Sequence, residues 1–104
     1  MPVKINRALP SLRFTPESLL DLQRLREFLR SKSPEAAQRA QQALLQAIES
    51  LQRMPQAHRP VQDMPGHREL IVKFGAQGYV VRYHYAQGAE IVVLRMRHQR
   101  EDGF

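Results

Sequence analysis

Residues 11–37, SLRFTPESLLDLQRLREFLRSKSPEAA, hold three structural signals in a row. The first four residues alternate polar and apolar side chains, as a short half-buried strand does. The triplets TPE at 15–17 and SPE at 33–35 then each place a hydroxyl at a helix N-cap, a proline at the first helical position and a glutamate in the first turn. Because the connection between the two helices is so short, the second must run back along the first. The stretch therefore predicts a strand followed by a helical hairpin.

Each helix carries an apolar stripe that indicates which side packs on the rest of the protein. In the second helix the stripe is rich in alanine, which permits close approach to the first helix. The predicted stripe of the first helix consists of Leu19, Leu22, Leu25, Phe28 and Leu29.

After the second helix the pattern changes from helical to alternating. Residues 54–66 hold three prolines and a glycine and predict an irregular loop. Three strands rich in Val, Ile and Tyr follow at 70–74, 79–85 and 90–96, separated by the turn-like sequences GAQG and AQGA. We expect a small single α+β domain of order β-α-α-β-β-β, with the helical hairpin packed on one face of a mainly antiparallel four-stranded sheet. Residues 1–10 form a leader, and the domain occupies 11–104.

The last predicted hairpin assigns its side chains to the two faces of the sheet. If Gln87-Gly88 is the turn, Ala86 faces Ala89, and facing residues point to the same side. One face is then nearly all apolar and should lie under the helices: Tyr79, Val81, Tyr83, Tyr85, Glu90, Val92, Leu94 and Met96. The opposite face mixes cations with aliphatic residues and suits a groove for an acidic or amphipathic partner: Val80, Arg82, His84, Ile91, Val93, Arg95 and Arg97.

Composition narrows the class of protein. The formal net charge is +6, which favours acidic partners such as nucleic acid or an acidic protein segment. The absence of cysteine excludes disulfides and thiolate metal sites, and the histidines have no metal-ligand spacing, so we expect no metal and no cofactor. No apolar run is long enough for a membrane span, and the start of the chain lacks the apolar core of a signal peptide. We therefore expect a cytoplasmic protein.

Several motifs together resemble the RelE/ParE superfamily of bacterial toxins, over residues 12–102. The loop contains RPV at 59–61 and PGHRE at 65–69, and the chain ends with MRHQRED at 96–102, a pattern closer to the ParE-like branch. The resemblance implies the toxin of a type II toxin–antitoxin system, associated with plasmid stabilisation and growth inhibition. Such a toxin inhibits DNA gyrase by binding, is not itself an enzyme, and is neutralised by an acidic cognate antitoxin in a hetero-oligomer.

The RelE-like branch offers an alternative, a ribosome-dependent endoribonuclease that cleaves messenger RNA. That chemistry needs a proton acceptor, a proton donor and cations on the phosphorane. The arginine that nuclease members carry after G-Y falls on Val80 here, and their C-terminal tyrosine has no counterpart, whereas Lys73 and Arg100 match. A shifted set of candidates for catalysis remains: Arg82, His84, Arg95 and Arg100. A third hypothesis is a family member without toxicity that acts only as a binding module.

The resemblance and the face assignment together give two sets of expected binding residues. His98, in the second set, is also a candidate for a capping role at the end of its strand. The antitoxin-binding set is Val80, Arg82, Ile91, Val93, Arg95 and Arg97, and the target-binding set is Arg68, Lys73, His98 and Arg100.

Overall fold

A computed structural model describes residues 9–104, so most of the predicted leader lies outside the described residues. Two helices pack on one face of a five-stranded sheet of order β1-β5-β4-β3-β2, which confirms the predicted fold class. The first strand pairs parallel to the last, and the other pairs are antiparallel. The elements are β1 Leu12–Phe14, α1 Pro16–Arg30, α2 Pro34–Ser50, β2 Arg59–Pro60, β3 His67–Phe74, β4 Gln77–Tyr85 and β5 Ile91–His98.

Both helices begin where the sequence places them. The hydroxyl of Thr15 accepts the amide of Ser18 at 3.1 Å, and that of Ser33 accepts the amide of Ala36 at 3.2 Å. Only residues 31–33 separate the two helices. Neither of the two helices is long and apolar enough to cross a lipid bilayer.

The sheet differs from the prediction in two places. The loop between α2 and β3 contains the two-residue strand β2, which makes the sheet five-stranded rather than four-stranded. The sequence did not predict β2 because the strand contains a proline, which supplies no N–H to a strand ladder, and because two residues are too few to show an alternating pattern. Strands β3 and β4 begin three and two residues before their predicted starts, and β5 ends two residues later than predicted. Strands β1 and β5 each begin one residue later than predicted.

The register of the last hairpin was also predicted wrongly. The turn forms as expected, with Ala89 N–H donating to Ala86 O and Gly88 at a φ of 83°, but Tyr85 then pairs with Ile91 rather than with Glu90. Glu90 turns outward and makes an ion pair with Arg13 at 2.9 Å. Further along the β4–β5 pair, the register shifts again between Arg82 and Tyr83 of β4, at a β-bulge.

The core lies between the helices and the sheet, and the tyrosines point inward as predicted. Tyr79 and Tyr83 are buried together with Leu44, Ile48 and Met96. The Tyr83 hydroxyl donates to Pro55 O at 2.8 Å, and burial raises the pKa of this phenol to about 12. The prediction for the first helix was partly wrong, because Leu19 and Phe28 are exposed while the polar Ser18 and Asp21 are buried.

Candidate functional site

The face of the sheet away from the helices carries a cluster of three arginines that we call the arginine face: Arg82, Arg95 and Arg97. Arg82 is paired with Arg95 across the ladder, so the two lie on the same side, as predicted. The ring of Phe104 lies over all three, with the guanidinium carbons of Arg82, Arg95 and Arg97 at 4.8, 5.7 and 5.2 Å from its centroid.

Arg82 is held by a carboxylate. Its Nη2 donates to Glu69 at 2.8 Å, and Arg59 donates to the other oxygen of the same carboxylate at 2.7 Å. Burial alone would raise the pKa of Glu69, but the hydrogen bonds and charges of the two arginines outweigh burial and lower it. Glu69 therefore joins strands β2, β3 and β4 on this face.

Arg95 is held in the same way by helix α1. Its Nε and Nη2 donate to the two oxygens of Asp21 at 2.7 and 3.3 Å, and the backbone amide of Met96 donates to the same carboxylate at 2.9 Å. The hydrogen bond to Asp21 and its charge raise the pKa of Arg95 further above its ordinary value. The guanidinium thus serves to lock α1 to β5.

Arg97 organises the end of the chain. Its Nη1 lies within 3.4 Å of the carbonyl oxygens of His98, Gln99 and Glu101, which closes the turn after β5. Val80, which pairs with Arg97, is only 3% exposed although it lies on the face away from the helices. It is therefore covered in the free protein.

Two predicted antitoxin-binding residues lie in the core. Ile91 and Val93 are fully buried under the helices, because the register after the bulge turns them inward and turns Val92 outward. The prediction that they share the arginine face is wrong. The alternation of a strand fixes its faces only while the register is constant, and a bulge reverses it.

Of the four candidates for nuclease chemistry, the structure brings together only Arg82 and Arg95, which pair across the ladder. Arg82 and Arg95 are both ion-paired, and the ring of His84 makes an edge-on contact with that of His67, with 5.1 Å between centroids. Arg100 lies apart from them, at the mouth of a groove on the helical side of the sheet. No three His, Asp or Glu side chains of the described residues could hold a metal ion together.

The groove, of about 470 Å³, lies between the second half of α1 and the end of the sheet. Its walls are mostly apolar, and Phe28, which is 59% exposed, forms part of one side. Cationic side chains flank it, and Lys32 Nζ lies 4.7 Å from the centre of the Phe28 ring. We call it the α1 groove, and it is lined by Arg24, Leu25, Phe28, Leu29, Lys32, Gln77, Tyr79, His98, Arg100 and Glu101.

His98 has the capping contact that its position suggested. Its Nδ1 accepts the backbone amide of Arg100 at 3.1 Å, and its ring packs edge-on against Tyr79. Since Nδ1 is the acceptor, the neutral ring carries its proton on Nε2. The guanidinium of Arg100 is exposed and makes no hydrogen bond or ion pair with residues 9–104.

The other two predicted target-binding residues lie elsewhere. Arg68, on β3, donates to the carbonyl oxygen of His58 at 2.7 Å and so ties the loop before β2 to the sheet. Lys73 is exposed near the end of β3, opposite Gly78. The structure thus brings His98 and Arg100 together in one groove and leaves Arg68 and Lys73 outside it.

Comparison with known proteins decides the family. The family model for the ParE toxin of type II toxin–antitoxin systems matches residues 12–103. This chain belongs to the ParE toxin family. It is thereby a member of the wider RelE/ParE superfamily of toxin–antitoxin toxins.

Individual relatives from toxin–antitoxin systems are also similar to this chain. Toxin RelE3 of Caulobacter vibrioides is 39% identical over 92 residues, which are 88% of this chain and 96% of that protein. Among solved structures, the chromosomal ParDE system of P. aeruginosa aligns with a TM-score of 0.72 at 24% identity, over 86% of this chain and 96% of that one. The RelBE2 toxin–antitoxin complex of Mycobacterium tuberculosis aligns with a TM-score of 0.55 at 19% identity, over 91% and 97%. At such identities the structures show the shared fold.

Sequence reasoning missed several residues that shape the arginine face and the α1 groove of this ParE toxin. Asp21 sits in an otherwise apolar helix stripe, and a carboxylate at such a position signals a buried partner. Glu69 and Glu101 gave no such signal, because their partners come from distant strands and from α1. The ring of Phe104 was not assigned to the arginine face, since nothing in a terminal GF pair indicates where it packs.

Proposed function

We propose that this ParE toxin inhibits DNA gyrase by binding to it rather than by cleaving RNA. The observation that carries the proposal is the state of Arg82 and Arg95, whose guanidiniums are bound by Glu69 and Asp21. An RNA-cleaving site needs cations free to stabilise the phosphorane, with an acid and a base beside them. Position 80, which is Arg in nuclease members and also in many ParE-like sequences, is a covered valine here, so that cation is missing.

The target contacts are proposed at the mouth of the α1 groove, where the exposed guanidinium of Arg100 lies beside His98. The proposal is tested by adding the purified protein to gyrase and supercoiled plasmid. Wild-type protein is expected to yield linear, cleaved DNA. Arg100→Glu should abolish the effect, while Arg39→Glu, the same charge change at an exposed site on α2, should preserve it. Unaffected supercoiling with wild-type protein would refute gyrase inhibition.

A second candidate is ribosome-dependent cleavage of messenger RNA, and the observation that favours it is the 39% identity to a protein named Toxin RelE3. Cleavage of codons in the A site of a reconstituted translation reaction, without an effect on gyrase, would establish it. A protein inactive in both assays would be a binding module, and restoration of growth inhibition by Val80→Arg would then trace the lost activity to that position.

We also propose that an acidic antitoxin neutralises the toxin by placing an amphipathic segment in the α1 groove. Support comes from the net charge of +6, from the apolar walls between Arg24, Lys32 and Arg100, and from the two structural relatives, which belong to toxin–antitoxin systems. The Arg82, Arg95 and Arg97 cluster remains a proposed second contact, reached by displacing Phe104.

The groove assignment is tested with a candidate antitoxin, chosen as an acidic protein whose reading frame directly adjoins that of the toxin, mixed with toxin variants. Phe28→Asp should raise the dissociation constant by about 100-fold or more, the effect of removing a buried aromatic anchor. Leu20→Asp is the matched control, because Leu20 is exposed on the same helix but does not line the groove. Equal binding of Phe28→Asp and wild type would exclude the groove as the antitoxin site.

A further inference from the structure

The two edges of the sheet are finished differently. Beside β1, the outward backbone groups of β5 are taken by side chains from α1 and from the C-terminal turn. Thr15 Oγ1 donates to Leu94 O at 2.8 Å, and Asp21 accepts the amide of Met96. Glu101 accepts the amide of His98 at 2.9 Å, and Arg24 Nη2 donates to Met96 O at 3.5 Å. The part of β5 that β1 leaves uncovered is thereby closed by side chains.

The other edge is closed only in part. Strand β2 pairs with Arg68 and Glu69 of β3 and extends no further. Gly66 O accepts the amide of Tyr85, so the even-numbered residues of β3 direct their backbone groups to β4, and the odd-numbered residues direct theirs outward. The outward N–H and C=O groups of Ile71 and Lys73 have no hydrogen-bond partner among residues 9–104.

This open edge is short and apolar. It is bounded by β2 on one side and by the turn at Gly75, which has a φ of 62°, on the other, so it comprises residues 70–74, LIVKF. Ile71 is 38% exposed, and Lys73 is the single charged side chain of the segment. An exposed strand of this kind is a template for pairing with a further strand.

We propose that this edge pairs with the same edge of a second copy of the chain, antiparallel about a twofold axis at Val72. The hydrogen-bonding pattern requires that outward groups face outward groups, so the twofold axis can lie at Ile71, at Val72 or at Lys73. An axis at Lys73 would oppose two lysine charges directly and would bring the turn at Gly75 opposite Ile71. A twofold axis at Ile71 would place Lys73 where β2 already pairs with Glu69, and β2 excludes it. The axis at Val72 avoids both β2 and the turn at Gly75.

That register suits the side chains. Leu70 faces Phe74 of the second copy, and Val72 faces Val72, on the helical side of the sheet. On the other side the aliphatic stem of Lys73 lies beside Ile71, so no two like charges are directly opposed. Because the axis lies at the middle residue of the segment, all five residues of each copy are paired, and Lys73 meets an uncharged side chain. The two copies repel through their net charges of +6, and screening by salt therefore strengthens the pairing.

Sedimentation of the purified toxin across a range of concentrations, at low and high salt, tests the dimer. Wild-type protein is expected to shift towards a dimer with concentration, and more so at high salt. Ile71→Pro removes an outward N–H and leaves the β4 ladder intact, so it should raise the dissociation constant about tenfold or more. Ile71→Val keeps the N–H and is the control. A monomer at every concentration and salt overturns the proposal.

The register is tested with cysteines, because the chain contains none of its own. A mixture of Ile71→Cys and Lys73→Cys proteins under mild oxidation should give mixed disulfide dimers, since facing residues bring their Cα atoms to about 5.5 Å. A mixture of Ile71→Cys and Arg39→Cys is the control. Preferential cross-linking of Ile71→Cys to itself, or a dimer lost when residues 1–8 are removed, overturns the proposed pairing. The dimer does not depend on the target of the toxin, so both experiments are independent of the gyrase assay.

Discussion

Along β5 the outward backbone groups of Leu94 and Met96 bind side chains of Thr15 and Asp21, whereas along β3 those of Ile71 and Lys73 have no partner among the described residues. Each of these strands has a stretch with no neighbouring strand; the stretch of β5 is closed by side chains, and the stretch of β3 is not closed by any of the described residues. The closed edge uses polar residues in an amphipathic helix, where they are buried. The difference indicates that the stabilising side-chain contacts are concentrated at β5. The uncovered part of β3 is left available for another chain.

The largest expected loss of stability follows from Asp21→Ala, which acts on the uncovered part of β5 that side chains close. This change removes the acceptor of the Met96 amide and of the Arg95 guanidinium, and it should lower the free energy of unfolding by about 2–4 kcal/mol. Urea unfolding measures it. Glu27→Gln, in an exposed ion pair with Arg30 on the same helix, is the control and should cost less than about 0.5 kcal/mol. Equal losses for the two variants would mean that α1 does not close the edge.

The next largest effect on stability is expected for Glu69→Gln, which weakens the attachment of β2 to β3, beside the open edge. The loss should be about 1–2 kcal/mol at neutral pH, because Arg59 and Arg82 lose their charged partner. The pKa of Glu69 is lowered in the folded state, so its contribution is complete above the ordinary value of 4.5 and disappears as the pH falls through the lowered value.

The difference in stability between wild type and Glu69→Gln should therefore shrink on acidification below about pH 4.5, measured by urea unfolding at several pH values. Both proteins should still lose stability with acid, because the pKa of Glu101 is also lowered: burial alone would raise it, but the His98 amide and Arg24 outweigh burial. A difference that is constant across this pH range would contradict the role of the Glu69 charge.

A smaller effect is expected from Thr15→Val, which keeps the shape of the side chain but removes its hydroxyl. The variant loses the helix N-cap and the bond to Leu94 O, with a cost of about 1–2 kcal/mol in thermal or urea unfolding. Thr15→Ser retains both hydrogen bonds and should lie close to wild type. A serine variant as unstable as the valine variant would assign the effect to packing of the methyl group instead.

The smallest effect belongs to the open edge. Ile71→Thr, studied at a protein concentration low enough to keep the chain monomeric, should change the free energy of unfolding by about 0.5 kcal/mol or less, because the side chain is exposed and threonine suits a strand. A loss well above 1 kcal/mol at that dilution would show that the edge is covered in the monomer, and the contrast between the edges would fail.

Much of the fold was predictable because its signals are local. The caps at Thr15 and Ser33, the short connection between the helices and the turn at Gly88 are each decided by a few neighbouring residues. The inward tyrosines and the shared side of Arg82 and Arg95 followed from strand alternation and were confirmed. The positions of Ile91 and Val93 were wrong, since a bulge between paired strands has no signature in one strand alone.

The candidate site was less predictable than the fold. The sequence shows that Arg82 and Arg95 are present, but only the structure shows that Glu69 and Asp21 already bind them. The apolar stripe of α1 predicts that Phe28 packs in the core, but the side chain is exposed. An amphipathic stripe does not reveal how much of its width is covered.

The amino-acid sequence by itself determined the order of helices and strands, the helix starts and the family, because these depend on local hydrogen bonding and on side-chain periodicity along the chain. The tertiary structure decided which arginines are free, which apolar residues are exposed and which edge of the sheet is closed. Those properties depend on partners 13 to 77 residues away, such as Glu69 with Arg82 and Arg24 with Glu101, and no local pattern specifies such pairs.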